Sequence, residues 1–311
     1  MSAVRRILVL GARGFLGGPV AARLAAEPGV TVLHGSRRAA PAEGPAPDLG
    51  VDLGSVPVDL LAAALGGLRP DAVVNCAGLA AGPASTLAAV NARGAAALAE
   101  AMSAAVPNAR LVHLGSAGEY GPGLPGEPLA ETAPARPAGV YGATKLAGTL
   151  AVTGSGLDAV ALRVFNPVGA GAPVSGLPGR LAAAFRGAPP DGVVRTGDLG
   201  AYRDFVDVAD VAEAVALAAT APGPLPPVLN IGSGVATPVR DLAAELAVRC
   251  GFTGRVDESG TGSERSAAVS WVQADVSLAA TALGWRPTRT LHDSLAALSR
   301  AATPAPAGAR P

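Results

Sequence analysis

Short, continuous apolar runs alternate with longer helix-period stretches over the first half of the chain. Ile7-Leu8-Val9-Leu10 ends directly on glycine, the pattern of a parallel strand buried on both faces. Runs at residues 31–33, 71–76, 110–114 and 159–163 predict further strands. Residues 19–27, 58–68, 86–105 and 140–153 read as the helices between them, and a Gly/Pro/Ala-rich loop is expected across residues 39–50. Regular alternation of this kind predicts an α/β fold with a doubly wound parallel sheet.

Beyond Phe165 the texture changes. Residues 169–178 read as loop, 180–186 as a short helix and 193–203 as strand and turn. A helix (208–219) and a strand (228–231) follow, then a helix from Val239, polar loops at 257–266 and a last helix at 291–299. We read residues 166–204 and 232–300 as a smaller, discontinuous C-terminal substrate domain. On that reading, 205–231 rejoins the sheet domain of residues 1–165. Residues 301–311, rich in Ala, Pro and Gly, read as a disordered tail.

Composition narrows the function. The 24 basic residues balance 24 acidic ones with no basic block, which argues against nucleic acid or an anionic membrane surface as partner. An acidic ligand must therefore be held by a few placed cations and helix N-termini. Cys76 and Cys250 lie far apart, and His34, His113 and His292 lack metal-ligand spacing, so no metal is expected. No run approaches the ~20 apolar residues of a membrane span. A cytoplasmic protein is expected.

Gly11-Ala12-Arg13-Gly14-Phe15-Leu16-Gly17 joins the first strand to the first helix. In that context Gly11 permits a tight turn, Gly14 lets a pyrophosphate approach the backbone, and Gly17 lets helix pack closely on sheet. The helix N-terminus meets the phosphate charge, with Phe15 and Leu16 in the cofactor loop. This is the start of a Rossmann-type dinucleotide-binding sheet. At the end of the second strand, where an acid would bind a ribose 2′-hydroxyl, stands His34-Gly35-Ser36-Arg37-Arg38. Arg37 or Arg38 can pair a 2′-phosphate, which favours NADP(H) over NAD(H); the alternative is two solvated arginines. Asp52-Leu53 is placed for the adenine end of the cofactor, or else Asp52 is a simple turn carboxylate.

Tyr141 and Lys145 form a YxxxK pair, whose i, i+4 spacing sets both on one helix face. An adjacent ammonium favours the phenolate and brings a tyrosine proton, with an ordinary pKa of about 10, into useful range. Ser116, just past the strand 110–114, completes a candidate catalytic set by bonding a substrate oxygen.

Together these residues resemble the extended short-chain dehydrogenase/reductase family of nucleotide-sugar epimerases, dehydratases and reductases. The resemblance extends through Asn75-Cys76-Ala77-Gly78, Val90-Asn91, Leu162-Arg163-Val164-Phe165-Asn166-Pro167 and Arg203-Asp204-Phe205-Val206-Asp207-Val208, and further to Asn230-Ile231-Gly232-Ser233-Gly234 and Gly284-Trp285-Arg286-Pro287. It implies that Ala77, Gly78 and Asn91 support the cofactor cleft and that Lys145 also holds the nicotinamide ribose. It further implies that Asn166, Arg203 and Arg265 contact the diphosphate of a sugar nucleotide, and that the protein is a homodimer. Arg203 could instead form a structural ion pair with Asp207 or Asp210. The family often has Asp three residues past the second arginine; Ala268 stands there, which leaves the nucleotide open.

Leu114-Gly115-Ser116-Ala117-Gly118-Glu119-Tyr120-Gly121 lacks the acid that 4,6-dehydratases place two positions before the tyrosine, so a dehydratase is disfavoured. The segment is similar to that of reductases of 4-keto-6-deoxy sugar nucleotides, while LRVFNPVG is equally at home in 4-epimerases. The expectation is an NAD(P)H-dependent ketoreductase of a (4-)keto sugar nucleotide. The alternatives are a 4-epimerase that retains NAD and a non-catalytic dinucleotide sensor, against which the intact Tyr/Lys pair argues.

Overall fold

A computed structural model of the chain describes residues 4–37, 48–260 and 269–300. Its main sheet contains β1 (Arg5–Leu10), β2 (Val30–Ser36), β3 (Leu49–Gly50), β4 (Ala72–Asn75), β5 (Arg110–Ser116), β6 (Ala159–Val164) and the strand Val228–Ile231. All seven run parallel, in the order Val228–Ile231, β6, β5, β4, β1, β2, β3. The order reverses between β1 and β4, so a crevice opens beyond their C-terminal ends, where open α/β sheets bind ligands.

Strand side chains alternate between two apolar layers. Ile7, Val9, Val74, Val112, Leu114 and Leu162 pack with α1 (Gly17–Ala25) and α7 (Val208–Thr220) through Val20, Leu24, Val211 and Val215. Leu8, Leu10, Val73 and Leu111 face the opposite way, toward α2 (Val58–Leu68) and α4 (Gly94–Ala105) through Leu61, Leu65, Leu98 and Met102. Each such side chain contributes about 1.5–3 kcal/mol on burial.

A third core lies outside the sheet. Phe185 of α6 (Leu177–Gly187), Leu242 and Leu246 of α8 (Val239–Arg249), Phe252, and Leu295 and Leu298 of the helix Leu291–Arg300 form it. Around it run three strand pairs: Val193–Arg195 with Arg255–Asp257, Tyr202–Asp204 with Ala236–Pro238, and Pro167–Val168 with Val206–Asp207.

Three local features depart from the sequence reading. The helix expected over 86–105 begins as α3 (Ala84–Leu87), passes through a π-type turn at Ala88–Arg93, and continues as α4. A helix at Ser277–Leu283, closed by left-handed Gly284 (φ 66°), stands where none was expected. The far end of the expected loop 39–50 pairs with β2 as β3. Residues 38–47 and the tail 301–311 lie outside the described residues. Among the described residues no helix is long and apolar enough to cross a membrane.

The third core is tied to the sheet by Asp204. Its fully buried carboxylate accepts from Ser233 N (2.6 Å) and Ser233 Oγ (2.7 Å) at one oxygen, and from Gly234 N (2.9 Å) and Ala274 N (3.0 Å) at the other. Burial pushes its pKa up, against these four hydrogen bonds, which favour the ionised form. Asp204→Ala leaves three N–H groups without an acceptor, that of Ala274 buried and those of Ser233 and Gly234 half-buried. Urea unfolding of that variant is expected to show a loss of roughly 3 kcal/mol or more.

Candidate active site

The loop after β1 turns at Gly11, whose φ of 75° suits glycine. A Cβ at Gly11 would lie 3.0 Å from Ala77 N, and one at Gly17 would lie 2.0 Å from the Gly11 carbonyl oxygen. The Gly14 N–H closes the turn on Gly11 O at 2.8 Å. No side chain caps α1, and its first turn holds no acid. The result is a bare helix N-terminus and a side-chain-free backbone surface, which suit an anion.

Ser116 ends β5. Its hydroxyl accepts from Gly118 N (3.1 Å), starting the short turn Ala117–Glu119. Helix α5 (Val140–Thr153) crosses beside that turn because Gly142 has no side chain: a Cβ there would lie 2.1 Å from Gly118 O. Tyr141 is thereby brought to Ser116. A Cβ built on Gly118 would sit 3.4 Å from both Ser116 Oγ and Tyr141 Cε1.

Lys145, one turn further along α5, is only 5% exposed, and its ammonium donates to the Leu114 carbonyl. Burial pushes its pKa down to about 8, opposed by the Glu119 carboxylate. It is the chain's only lysine. Gly78 lies opposite, where a Cβ would be 3.4 Å from Asn91 Oδ1 and 3.8 Å from Lys145 Nζ. Asn91 Nδ2 donates to Leu79 O (2.9 Å) and Thr144 Oγ1 (3.2 Å), and its Oδ1 accepts from Leu79 N (2.9 Å). Asn91 thus joins the loop after β4 to α5 from within the π-type turn.

A cleft of about 440 Å³ collects these groups. Its walls include Gly14, Phe15, Leu16, Ala77, Gly78, Ser116, Tyr141, Lys145, Asn166 and Arg203. Asn166 (φ 22°) donates through Nδ2 to Asp204 O at 2.7 Å. Arg203 donates to the Tyr202 (2.8 Å) and Val269 (2.6 Å) carbonyls. Asp207 and Asp210 are engaged by Arg289.

Arg37 is exposed just beyond β2. Asp52 lies outside the cleft walls as an exposed turn residue whose carboxylate accepts from Gly54 N (3.0 Å), while Leu53 is buried against Gly94. Arg38 and Arg265 lie outside the described residues. Among the described residues no group of three His, Cys, Asp or Glu could hold a metal.

The start of α6 is a part of the cleft that apolar periodicity does not mark. Gly176 to Arg180 line the cleft, within and just beyond a segment read as loop. Pro178 at the first helical turn was the available signal.

A model of the NAD dependent epimerase/dehydratase family matches residues 7–232. The chain is 40% identical over 319 residues to the dTDP-6-deoxy-L-talose 4-dehydrogenase (NAD(P)(+)) of Kitasatospora kifunensis, covering 98% of each. Among solved structures it is similar to MoeE5 in complex with UDP-glucuronic acid and NAD (TM-score 0.81, 29% identity, 94% of this chain and 97% of that one). It is also similar to the UDP-glucose 4-epimerase of Thermus thermophilus in complex with NAD (TM-score 0.79, 27% identity, 94% and 97%).

The Lys145 geometry carries a stability cost with a defined pH window. A lysine whose pKa falls from 10.5 to about 8 on folding is penalised below pH 8, and the penalty is relieved between pH 8 and 10.5. Lys145→Met is therefore expected to gain up to ~3 kcal/mol relative to wild type at pH 7. Denaturant unfolding of both proteins across that range should show the difference shrinking as pH rises.

Proposed function

The chain belongs to the NAD-dependent epimerase/dehydratase family, of the extended short-chain dehydrogenase/reductase type, and from that premise we propose that it is an NAD(P)H-dependent ketoreductase of a 4-keto sugar nucleotide. One observation carries the reading. Ser116 Oγ and the Tyr141 ring flank a single glycine beside the chain's only lysine, in a cleft that runs from the glycine loop to Arg203. The Kitasatospora relative, a 4-dehydrogenase of a dTDP-sugar at 40% identity, supports the choice of carbon and substrate class.

The uncapped α1 and the glycine surface at Gly11, Gly14 and Gly17 fit a dinucleotide diphosphate. Phe15, Leu16, Ala77 and Gly78 flank it, Lys145 takes the nicotinamide ribose, Asn91 supports the wall, and the Asp52–Leu53 turn serves the adenine end. When bound, the nicotinamide supplies the hydride to the carbonyl carbon.

The protein's own groups handle the oxygen. Ser116 donates to it and aligns it, and Tyr141 gives it the proton. The Lys145 ammonium lowers the proton affinity of the phenol, so the transfer is accessible near neutral pH. Asn166 and Arg203, with Arg265, take the diphosphate of the substrate; the carbonyls of Tyr202 and Val269 fix the direction of the Arg203 guanidinium beforehand. A homodimer belongs to the same reading, and Val140 and Leu150 of α5 are exposed for it.

Incubation with a dTDP-4-keto-6-deoxy sugar and NADPH should consume NADPH; no consumption across several 4-keto sugar nucleotides removes the assignment. Tyr141→Phe is expected to lower kcat by about 10²–10⁴ with cofactor affinity little changed. Stoichiometric NAD in the purified protein, read by absorbance and mass spectrometry, would instead favour an epimerase like the Thermus enzyme. Arg37→Ala should lower the kcat/KM preference for NADPH over NADH by about tenfold or more, the value of a charge-assisted phosphate contact.

A further inference from the structure

Behind Ser116 the fold encloses a charged pair that the motifs leave without a task. Glu119 is 0% exposed. Its Oε1 accepts from Ser116 N (2.8 Å) and Thr149 Oγ1 (3.0 Å), and its Oε2 from Arg163 Nε (2.8 Å). Arg163 lies on β6 directly across from Gly115, with its guanidinium carbon 4.4 Å from the Tyr120 ring centroid. Gly115 makes room for this arrangement, since a Cβ there would lie 2.7 Å from Glu119 Oε1. A buried ion pair brings little stability over apolar packing of the same volume. Its position against the catalytic set is therefore the feature that needs an account.

We propose that Glu119, held by Arg163, is the positioning residue of the catalytic set: it fastens the Ser116 turn to α5 and supplies the counter-charge to the Lys145 ammonium. Only the kinetic part of this inference rests on the ketoreductase reading. The fastening is direct. One carboxylate oxygen bridges the backbone of Ser116 and the hydroxyl of Thr149, which lies one helical turn past Lys145 on the same helix.

The counter-charge follows from what else faces the ammonium. Cys76, at the end of β4, is pushed up to about 12 by burial and stays a neutral thiol. His113 of β5 is held well below its usual range by burial and by Lys145, and its Nδ1 faces Asn75 Nδ2 at 3.2 Å. Tyr141 shares α5 with Lys145 and is the phenol it serves. Neither Cys76 nor His113 carries charge at neutral pH, so the anion acting on Lys145 is Glu119, itself balanced by Arg163 from β6. The ammonium thus keeps its proton although it is buried.

Because Lys145 is the only lysine, protein labelled at the lysine ε-carbon gives one side-chain NMR resonance, and its titration reads this site without substrate. The wild-type midpoint is expected near pH 8. In Glu119→Gln it should fall by about one pH unit or more. The alkaline limb of kcat should move down with it, and kcat should fall about tenfold with KM little changed. Should the single variant be unstable with Arg163 left unpaired, Glu119→Gln with Arg163→Met leaves neither member of that pair as a lone charge, and the midpoint should still fall because Glu119 is the member that acts on Lys145. An unmoved midpoint in either folded variant overturns the proposal. A moved midpoint in a protein that reduces no keto sugar nucleotide supports the pairing and overturns only the reaction assigned.

Discussion

An ammonium ion kept inside the protein, against the end of a parallel sheet, is the constraint around which the rest of the site is arranged. Lys145 must come close enough to the sheet to reach the Leu114 carbonyl, and α5 achieves this with small residues on its inner face. Gly142 lets the helix pass the Gly118 carbonyl, and Gly148 lets it meet the backbone of Asn91, where a Cβ would lie 2.2 Å from the Asn91 carbonyl oxygen. The π-type turn at Ala88–Arg93 carries Asn91, which holds the loop after β4 in place. Desolvating the lysine costs stability, and tight backbone contacts together with one buried carboxylate make that cost tolerable.

A second constraint is the register between the sheet and the outer core. Asp204 ends the short strand that begins with Tyr202 and gathers backbone donors from the loop after the last sheet strand and from Ala274. Its neighbour Arg203 and the contact to Asn166 come from the same few residues. The two cleft residues expected to meet a diphosphate are thus held through backbone carbonyls in and beside the short strand whose buried carboxylate ties the outer core to the sheet. Further along, Asp210 accepts from Thr288 and Arg289, and the Trp285 indole donates to the Asp210 carbonyl, which fixes the C-terminal segment to α7.

All the sheet strands except β3, the glycine loop and the Tyr141/Lys145 pair were legible in sequence because each depends on local pattern: apolar runs, glycine spacing and helical periodicity. The helix at Ser277–Leu283 was not, since it is short and follows a polar stretch, and its signal was the terminating Gly284. The partners of Arg203 were also out of reach. Two aspartates lay nearby in sequence, yet the strand geometry gives the guanidinium to backbone carbonyls and gives those aspartates to Arg289. Glu119 and Arg163 left a fainter trace: an arginine inside the apolar run Ala159–Val164 has to be paired, but nothing in the sequence says with what.

Having a single lysine, placed inside, gives this protein an unusual exterior. Above neutral pH every side-chain cation on its surface is a guanidinium, which keeps its proton far into alkali. The positive side-chain charge of the surface is therefore insensitive to base over a range in which ordinary proteins shed protons from their lysines. Reagents that modify primary amines find no side-chain target on the surface and must enter the cleft lined by Lys145 to find one.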